Sequence, residues 1–170
     1  MSQQQGNVRL IIVPRHIERT GEVVKLVQQK GMKPVKRTGL RDSDKNVITP
    51  DTIIIVDTIG ELSTLYSIAS VVIIGGSFIP HGGQNPLEAM YYKKPVIFGQ
   101  HMFNFREITG EILQTGAGVR VEKNEELSGK LKDLINDPKR QLEMGEKGYQ
   151  IIVKNRGAIE RNLAVVEKFL

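Results

Sequence analysis

Short apolar runs alternate with longer amphipathic stretches along the chain. The runs predict strands at residues 8–13, 33–35, 53–56, 71–74, 95–98 and 118–121. The other stretches predict helices at residues 18–30, 61–69, 86–92, 105–114, 125–135, 138–154 and 158–170. Short, continuously apolar strands separated by helices are typical of a parallel sheet that is covered on both faces.

Six such strands predict an α/β fold with one doubly wound, Rossmann-like, six-stranded parallel sheet. We expect residues 8–170 to form a single domain of this kind, after a flexible start at residues 1–7. In open sheets of this type, ligands bind beyond the carboxyl ends of the strands. The residues that follow the strand ends are therefore the candidates for function.

The composition is that of a globular domain. Of the 170 residues, 39% are hydrophobic and 25% are charged, which excludes a disordered or fibrous class. Because cysteine is absent, disulfides, thiolate metal sites and a cysteine nucleophile are excluded together. The apolar runs are far shorter than a membrane span, and the opening MSQQQGN lacks the apolar stretch of a signal peptide. We expect this chain alone to be soluble.

The net charge of +5 comes from the N-terminal part, where residues 1–50 hold ten basic and four acidic side chains. A nucleic-acid site is not predicted, because no aromatic residue lies among these basic residues and no reader motif follows. Attraction to an anionic ligand or to a membrane surface explains the excess equally well.

Two segments after strands in the first third of the chain could bind an anion. Arg15 and His16 follow the first strand, although a solvated turn would contain the same residue types. After the third strand, the sequence DTIGEL places Thr58 and Glu61 at the spacing of a capping box. Gly60 lies between them and leaves the helix N-terminus open to a ligand.

The most informative segment is the glycine-rich loop that follows the fourth strand, with the sequence GGSFIPHGGQNPLE. Asn85, Pro86 and Glu88 are suited to the start of a helix. Two glycine pairs around an exposed His81 are not explained by a helix start, and they indicate backbone that must come close to a ligand. The loop is neither a P-loop nor a GxGxxG motif.

Other candidates are weaker. His101 and Asn104 follow the fifth strand and could face the same cleft, but a helix cap is the better interpretation of Asn104. Asp42 and Asp44 imitate a DxD metal motif within a basic, turn-rich loop away from the strand ends. With three scattered histidines and no cysteine, we predict no metal site.

The segments PRHIER, DTIGEL, YSIASVVIIGGS, PHGGQNPLEAM, KKPVIFG and FNFREI resemble, in order and spacing, the C-terminal half of the Kdo transferases. These bacterial enzymes, of glycosyltransferase family 30, transfer 3-deoxy-D-manno-octulosonic acid (Kdo) from CMP-Kdo to a lipid A precursor in lipopolysaccharide biosynthesis. They are GT-B enzymes, in which two Rossmann-like domains face each other and the C-terminal domain holds the donor. The resemblance implies inversion without a metal or other cofactor.

The resemblance also implies roles for particular residues. Arg15 and His16 would meet the phosphodiester and the carboxylate of CMP-Kdo, and Ile59, Gly60 and Glu61 would border the nucleotide. Gly75, Gly76 and Ser77 would form the floor of the donor site. Asn85 and Glu88 would bind polar groups of the donor, with a ribose hydroxyl as the partner of Glu88. The sequence departs from the family at Ile59, where methionine is frequent, and at Gln84, where histidine is common.

The same resemblance places the acceptor-binding domain, its membrane anchor and the general base upstream of residue 1. No catalytic residue is assigned within the chain, which we expect to bind CMP-Kdo without catalysing transfer. The full-length enzyme would lie at the cytoplasmic face of the bacterial inner membrane. A UDP-sugar epimerase-like domain and a nonenzymatic sugar-nucleotide-binding module are the alternatives.

Overall fold

The structure, a computed structural model, describes residues 8–40 and 48–166, with side chains described up to residue 156. The chain divides into two compact units, Met1–Leu62 and Ser63–Leu170. The flexible start predicted at residues 1–7 and the Asp42 and Asp44 pair lie outside the described residues.

The first unit contains a three-stranded parallel sheet and one long helix. Its elements are β1 (Leu10–Ile12), α1 (Thr20–Gln29), β2 (Lys33–Lys36) and β3 (Thr52–Ile55), and the strand order is β1-β3-β2. Short 3₁₀ turns follow the ends of β1 and β2, at Ile17–Arg19 and Arg37–Gly39. Val27 of α1 packs with Ile53 and Ile55 of β3, which places the central strand under the helix.

The second unit repeats the arrangement on a larger scale. Its elements are α2 (Leu62–Ile68, which begins at the last residue of the first unit), β4 (Val72–Ile73), α3 (Leu87–Tyr91), β5 (Val96–Phe98), α4 (Arg106–Thr115), β6 (Gly118–Arg120), α5 (Leu127–Ile135) and α6 (Pro138–Val166). The parallel strand order is β4-β5-β6.

Alternate residues of β5 explain why its sequence is continuously apolar. Val96 and Phe98 belong to one buried cluster, with Met90 of α3, whereas Ile97 belongs to another, with Leu134 of α5. Successive side chains of a strand point to opposite faces. Both faces of β5 are therefore covered by helices, as the sequence predicts for a parallel strand.

The predicted parallel α/β class is confirmed, and each of the six predicted strands is present among the described residues. Among the described residues, the hydrogen-bonded ladders join three strands in each unit and do not join all six. Apolar character predicts that a strand is buried and parallel, but it does not specify which strands share a ladder. The single domain over residues 8–170 stays a prediction.

The two helices predicted at residues 138–154 and 158–170 form one helix, α6, up to Val166. Gly157 lies between the two predicted helices, but one glycine costs only about 1 kcal/mol inside a helix, and no proline accompanies it. Two other glycines of α6 have a packing reason. A Cβ atom at Gly145 would overlap the backbone carbonyl of Lys93, and one at Gly148 would press on Met90. Small residues thus allow α6 to lie close against α3.

Candidate functional site

The glycine-rich loop of the second unit, residues 75–88, closes on itself before α3 begins. The backbone N–H of Gly83 donates to the carbonyl of Gly76 at 3.1 Å, and that of Gln84 donates to the carbonyl of Gly75 at 3.0 Å. Gly76, Gly82 and Gly83 have φ angles of +68°, +85° and +78°. Because L side chains are strained at such angles, the closure of the loop itself requires these glycines.

The second glycine pair is also required by packing. A Cβ atom at Gly82 would overlap the side chain of Asn104, and one at Gly83 would overlap the thioether of the buried Met102. The interpretation that both pairs approach a ligand is therefore unnecessary for Gly82 and Gly83. Gly75 differs, because it is exposed and an added Cβ would make only an ordinary contact of 3.8 Å with Gln84. Neither packing nor a positive φ angle explains the glycine at position 75.

Ser77 is the internal anchor of the loop. Its side chain is fully buried, and its hydroxyl donates to the carbonyl of Ile74 at 2.6 Å while accepting from the N–H of Gly99 at 2.9 Å. Its backbone carbonyl also accepts from the N–H of His101 at 2.9 Å. The hydroxyl of Ser77 thus ties the end of β4 to the end of β5.

Asn85 and Glu88 begin α3 as the sequence predicts. The Asn85 Oδ1 atom accepts from the N–H of Leu87 at 3.0 Å, and its Nδ2 atom donates to Glu88 Oε1 at 3.3 Å. Pro86, which has helical φ and ψ, occupies the first position after this cap. The carboxylate of Glu88 is exposed, so it can accept from a ligand as well as from Asn85.

Asn85 and Glu88 also line a groove of about 730 Å³ in the second unit. Its exposed surface is mostly apolar, and Tyr66, Tyr91 and Tyr92 are among the residues that line it. Burial, and then the charge of Glu88, raises the pKa of Tyr66 to about 12. Volumes of this size are typical of small-molecule sites with a few polar groups on an apolar wall.

His81 is exposed, as predicted from its place in the loop. Asn104 does not cap α4. It lies within the 3₁₀ turn Phe103–Phe105, where its N–H donates to the carbonyl of Gly82 at 3.2 Å and its side-chain amide lies 3.5 Å from the carbonyl of His81. Asn104 instead holds the glycine-rich loop against the segment that follows β5.

In the first unit, Arg15 and His16 follow β1 and are both exposed. His16 has extended backbone angles, and its carbonyl accepts from the N–H of Arg19 at 3.1 Å to start the turn before α1. The two side chains therefore lie beyond the carboxyl end of β1, where the sequence places them.

The segment after β3 is joined to the turn after β2 by a network of one ion pair and several hydrogen bonds. Glu61 accepts from the hydroxyl of Thr58 at 2.5 Å and from Arg37 Nε at 2.9 Å. Asp57 accepts from both the N–H and the hydroxyl of Thr38, at 3.0 and 2.7 Å. Thr58 and Glu61 were predicted to cap each other's backbone, but the structure joins their side chains directly.

The carboxylates of this network are held ionised. The Thr58 hydroxyl, and then Arg37, hold the pKa of Glu61 below its ordinary value. Burial acts to raise the pKa of Asp57, but the hydrogen bonds from Thr38 outweigh it and leave the pKa low. Ile59 and Gly60 form the exposed tip of the segment, with Ile59 88% exposed and Gly60 at a φ of +90°. An apolar side chain so exposed is available to pack against a ligand or a partner.

Sequence reasoning missed Arg37, Thr38 and Asp57 in the first unit and Tyr66 in the second. Arg37 and Thr38 follow β2 directly. The rule that ligands bind beyond the carboxyl ends of parallel strands would therefore have identified them. No pattern in the sequence pointed to Tyr66, because its partners come from other helices.

Within residues 8–40 and 48–166, no group of three or more His, Asp or Glu side chains is arranged to hold a metal ion. In the same part of the chain, no helix combines the length and the apolar character needed to cross a membrane.

Comparison with known proteins gives relatives over almost the whole chain. A 3-deoxy-D-manno-octulosonic acid transferase of Haemophilus influenzae is 33% identical over 165 residues, which are 96% of this chain and 38% of the relative. A 3-deoxy-D-manno-octulosonic acid transferase of Rickettsia felis is 32% identical over 173 residues, which are 100% of this chain and 36% of the relative. A bifunctional glycosyltransferase/methyltransferase of Fusobacterium nucleatum is 37% identical over 132 residues, 77% of this chain and 20% of that protein. The chain thus spans well under half the length of these relatives.

Among solved structures, the chain resembles the C-terminal CMP-Kdo binding domain of WaaA from Acinetobacter baumannii. The two superpose with a TM-score of 0.76 at 26% sequence identity, over 85% of this chain and 73% of the other. The model of the family Glycosyl transferases group 1 matches residues 3–151. Because that match covers most of the sequence, including every site candidate described above, the chain belongs to the group 1 glycosyl transferases.

Proposed function

We propose that the chain is the donor-binding part of an inverting glycosyltransferase that transfers Kdo from CMP-Kdo to a lipid A precursor. The observation that carries the proposal is the likeness to a CMP-Kdo binding domain, with a TM-score of 0.76 and 26% identity over 85% of the chain. The similarity to 3-deoxy-D-manno-octulosonic acid transferases over 96% and 100% of the chain supports it independently.

In the second unit, the glycine-rich loop and the start of α3 would hold the donor. Gly75 offers exposed backbone, and Gly76 supplies the turn beside it. Glu88 would accept a hydrogen bond from a ribose hydroxyl, and Asn85, which already donates to Glu88, would orient that carboxylate or bind the donor itself. Ser77 would contribute indirectly, because its hydroxyl fixes the loop between the ends of β4 and β5.

In the first unit, Arg15 and His16 would meet the negative charges of the donor, the phosphodiester and the carboxylate of Kdo. Both side chains are exposed, so binding an anion would cost little desolvation. Ile59, Gly60 and Glu61 would border the nucleotide at the tip of the segment after β3.

The chemistry assigned to these residues is stabilisation of the leaving CMP, whose negative charge grows in the transition state. Inverting transfer also needs a general base within hydrogen-bond reach of the acceptor hydroxyl. We place that base, the lipid A precursor site and the contact with the cytoplasmic face of the inner membrane in a partner domain of the whole enzyme. The chain by itself would bind CMP-Kdo and transfer no Kdo.

Calorimetric titration with CMP-Kdo, CMP and UDP tests the proposal. We expect CMP-Kdo and CMP to bind and UDP to bind at least tenfold more weakly. Glu88→Ala and Arg15→Ala should each weaken CMP-Kdo binding more than tenfold, since a hydrogen bond to a charged group is worth about 1.5–3 kcal/mol. The matched control is Glu143→Ala, another exposed glutamate on a helix.

Three results would contradict the proposal. The first is tighter binding of UDP than of CMP, which would favour an epimerase-like domain. The second is unchanged binding by both folded variants, which would mean that the site lies elsewhere. The third is Kdo transfer to lipid A precursor by the chain alone, which would overturn the assignment of the base to a partner domain.

A further inference from the structure

Arg37 and Glu61 form an ion pair at the carboxyl ends of two adjacent strands, β2 and β3. The Arg37 Nε atom lies 2.9 Å from Glu61 Oε2, and the two side chains are 44% and 32% exposed. Arg37 begins the turn that follows β2 directly. The pair therefore lies on the edge of the sheet where parallel α/β proteins bind their ligands.

Glu61 is a poor direct partner for an anionic ligand. Both of its carboxylate oxygens already accept hydrogen bonds, Oε1 from Thr58 and Oε2 from Arg37. The donation by Thr58, and then by Arg37, keeps the pKa of Glu61 low, so the group carries a negative charge. A charged carboxylate repels a phosphate or another carboxylate and has no proton to donate to either.

Arg37 has the opposite character. Its guanidinium carries five N–H donors in a planar fork, and only one of them is used on Glu61. Among the residues that the structure describes, both Nη nitrogens lack a hydrogen-bond acceptor. A fork held at Nε presents its two Nη groups together, which is the geometry that binds carboxylates and phosphates through two parallel hydrogen bonds.

The backbone under Arg37 is also fixed. The next residue, Thr38, donates both its N–H and its hydroxyl to Asp57, at 3.0 and 2.7 Å. Two adjacent residues of the turn after β2 are thus tied to two carboxylates of the segment after β3. An arginine anchored in this way loses less conformational entropy on binding than a free one.

We propose, on the basis of the function proposed above, that Arg37 binds an anionic group of the sugar nucleotide through its Nη atoms, and that Glu61 is a positioning residue that acts through Arg37. The ligand chemistry is an oxyanion, which the donor offers twice, as its phosphodiester and as its sugar carboxylate.

Calorimetry with the folded chain tests the role of Arg37. Arg37→Gln should weaken CMP-Kdo binding roughly tenfold or more, because it removes the charge and the fork. Arg37→Lys keeps only the charge and should retain part of the affinity. The matched control is Arg19→Gln, because Arg19 makes the same kind of pair in the same unit, with its Nε atom 3.0 Å from Glu22 Oε2. This control should bind as the parent does.

Three smaller ligands identify the group that Arg37 binds. A loss of affinity for CMP as well as for CMP-Kdo assigns Arg37 to the phosphate. A loss for CMP-Kdo and free Kdo, with CMP unchanged, assigns it to the carboxylate. Both results support the proposal, whereas an equal loss for cytidine, which has neither group, would overturn it.

A double-mutant cycle separates positioning by Glu61 from direct contact. Glu61→Gln should weaken CMP-Kdo binding about threefold on its own and should have no further effect in Arg37→Gln, because the guanidinium that Glu61 positions is gone. Glu22→Gln is the control and should change nothing. Independent, multiplying effects of the two variants would overturn the positioning role, and parent-like binding by Arg37→Gln would overturn the role of Arg37. If the parent chain binds no CMP-Kdo, the proposed function fails instead, which is a distinct result.

Discussion

Replacing Gly83 by alanine should destabilise the protein strongly, although the change adds one methyl group. Gly83 has a φ of +78°, and an alanine at such an angle costs about 1–2 kcal/mol. The new Cβ would overlap Sδ of Met102, a side chain that is only 5% exposed and has little room to move. Overpacking of this kind costs about 1–3 kcal/mol.

Alanine also lowers the conformational entropy of the unfolded chain, which stabilises the folded state by about 0.4–1 kcal/mol and offsets part of these costs. We therefore expect Gly83→Ala to lower the free energy of unfolding by about 2–4 kcal/mol. Urea titration followed by circular dichroism measures this quantity.

Gly110→Ala is the matched control, because Gly110 lies inside α4 with nothing within 4 Å of an added Cβ. It should raise the free energy of unfolding by about 0.5–1 kcal/mol through helix propensity. The two variants thus have the same chemistry and opposite signs. A Gly83→Ala protein as stable as the parent would refute the explanation that packing requires the second glycine pair.

Three further predictions concern single contacts of the second unit. Ser77→Ala should lower the free energy of unfolding by about 1–3 kcal/mol, because it leaves the buried N–H of Gly99 unpaired, and a loss below 0.5 kcal/mol in urea titration would contradict this. Glu88→Gln should lower the pKa of Tyr66 from about 12 but leave it above its ordinary value, since burial is the larger cause of the shift. Ultraviolet titration measures this pKa, and an unchanged value would show that Glu88 does not act on Tyr66. Because that pKa is raised in the folded state, the stability it contributes is present below pH 10 and is lost between about pH 10 and 12. Gly145→Ala should lower the melting temperature by several degrees, since the new Cβ would force α6 away from α3, and a melting temperature equal to that of the parent would refute the packing reason for that glycine.

The fold class was predictable because its signals are local. Strands such as β5 are apolar at every position, as burial on both faces demands, and Asn85 with Pro86 marks the start of α3 by its own chemistry. The division of the strands between two sheets was not predictable, because it depends on which backbone edges meet. The sequence predicts two helices where the structure has α6 alone, and Gly157 between them does not interrupt it, since one glycine is a weak signal for the end of a helix.

The candidate site was predictable to the extent that residues follow strand ends. Arg15, His16, Gly75 and Glu88 are exposed at the places that the sequence indicates. The pairing of Arg37 with Glu61 joins residues 24 positions apart and depends on β2 and β3 being neighbours, which sequence alone did not establish.

The glycine-rich loop shows the limit of motif reasoning. Its four glycines look equivalent in the sequence, but Gly82 and Gly83 are fixed by Asn104 and Met102, which lie about twenty residues further along the chain. Among the four, Gly75 alone has neither a positive φ angle nor a close contact that requires glycine. A motif therefore marks a loop for attention without distinguishing the glycines that its folding requires from one that its folding does not require.

The central claim is that this chain binds CMP-Kdo at the glycine-rich loop and the start of α3. Its most direct test is an NMR titration of the uniformly ¹⁵N-labelled chain with CMP-Kdo. We predict saturable shifts of the backbone amides of Gly75, Gly76 and Glu88, while the amide of Gly129, an exposed residue of α5, does not move. The absence of saturable shifts, or shifts that leave the loop and α3 unaffected, would contradict the claim.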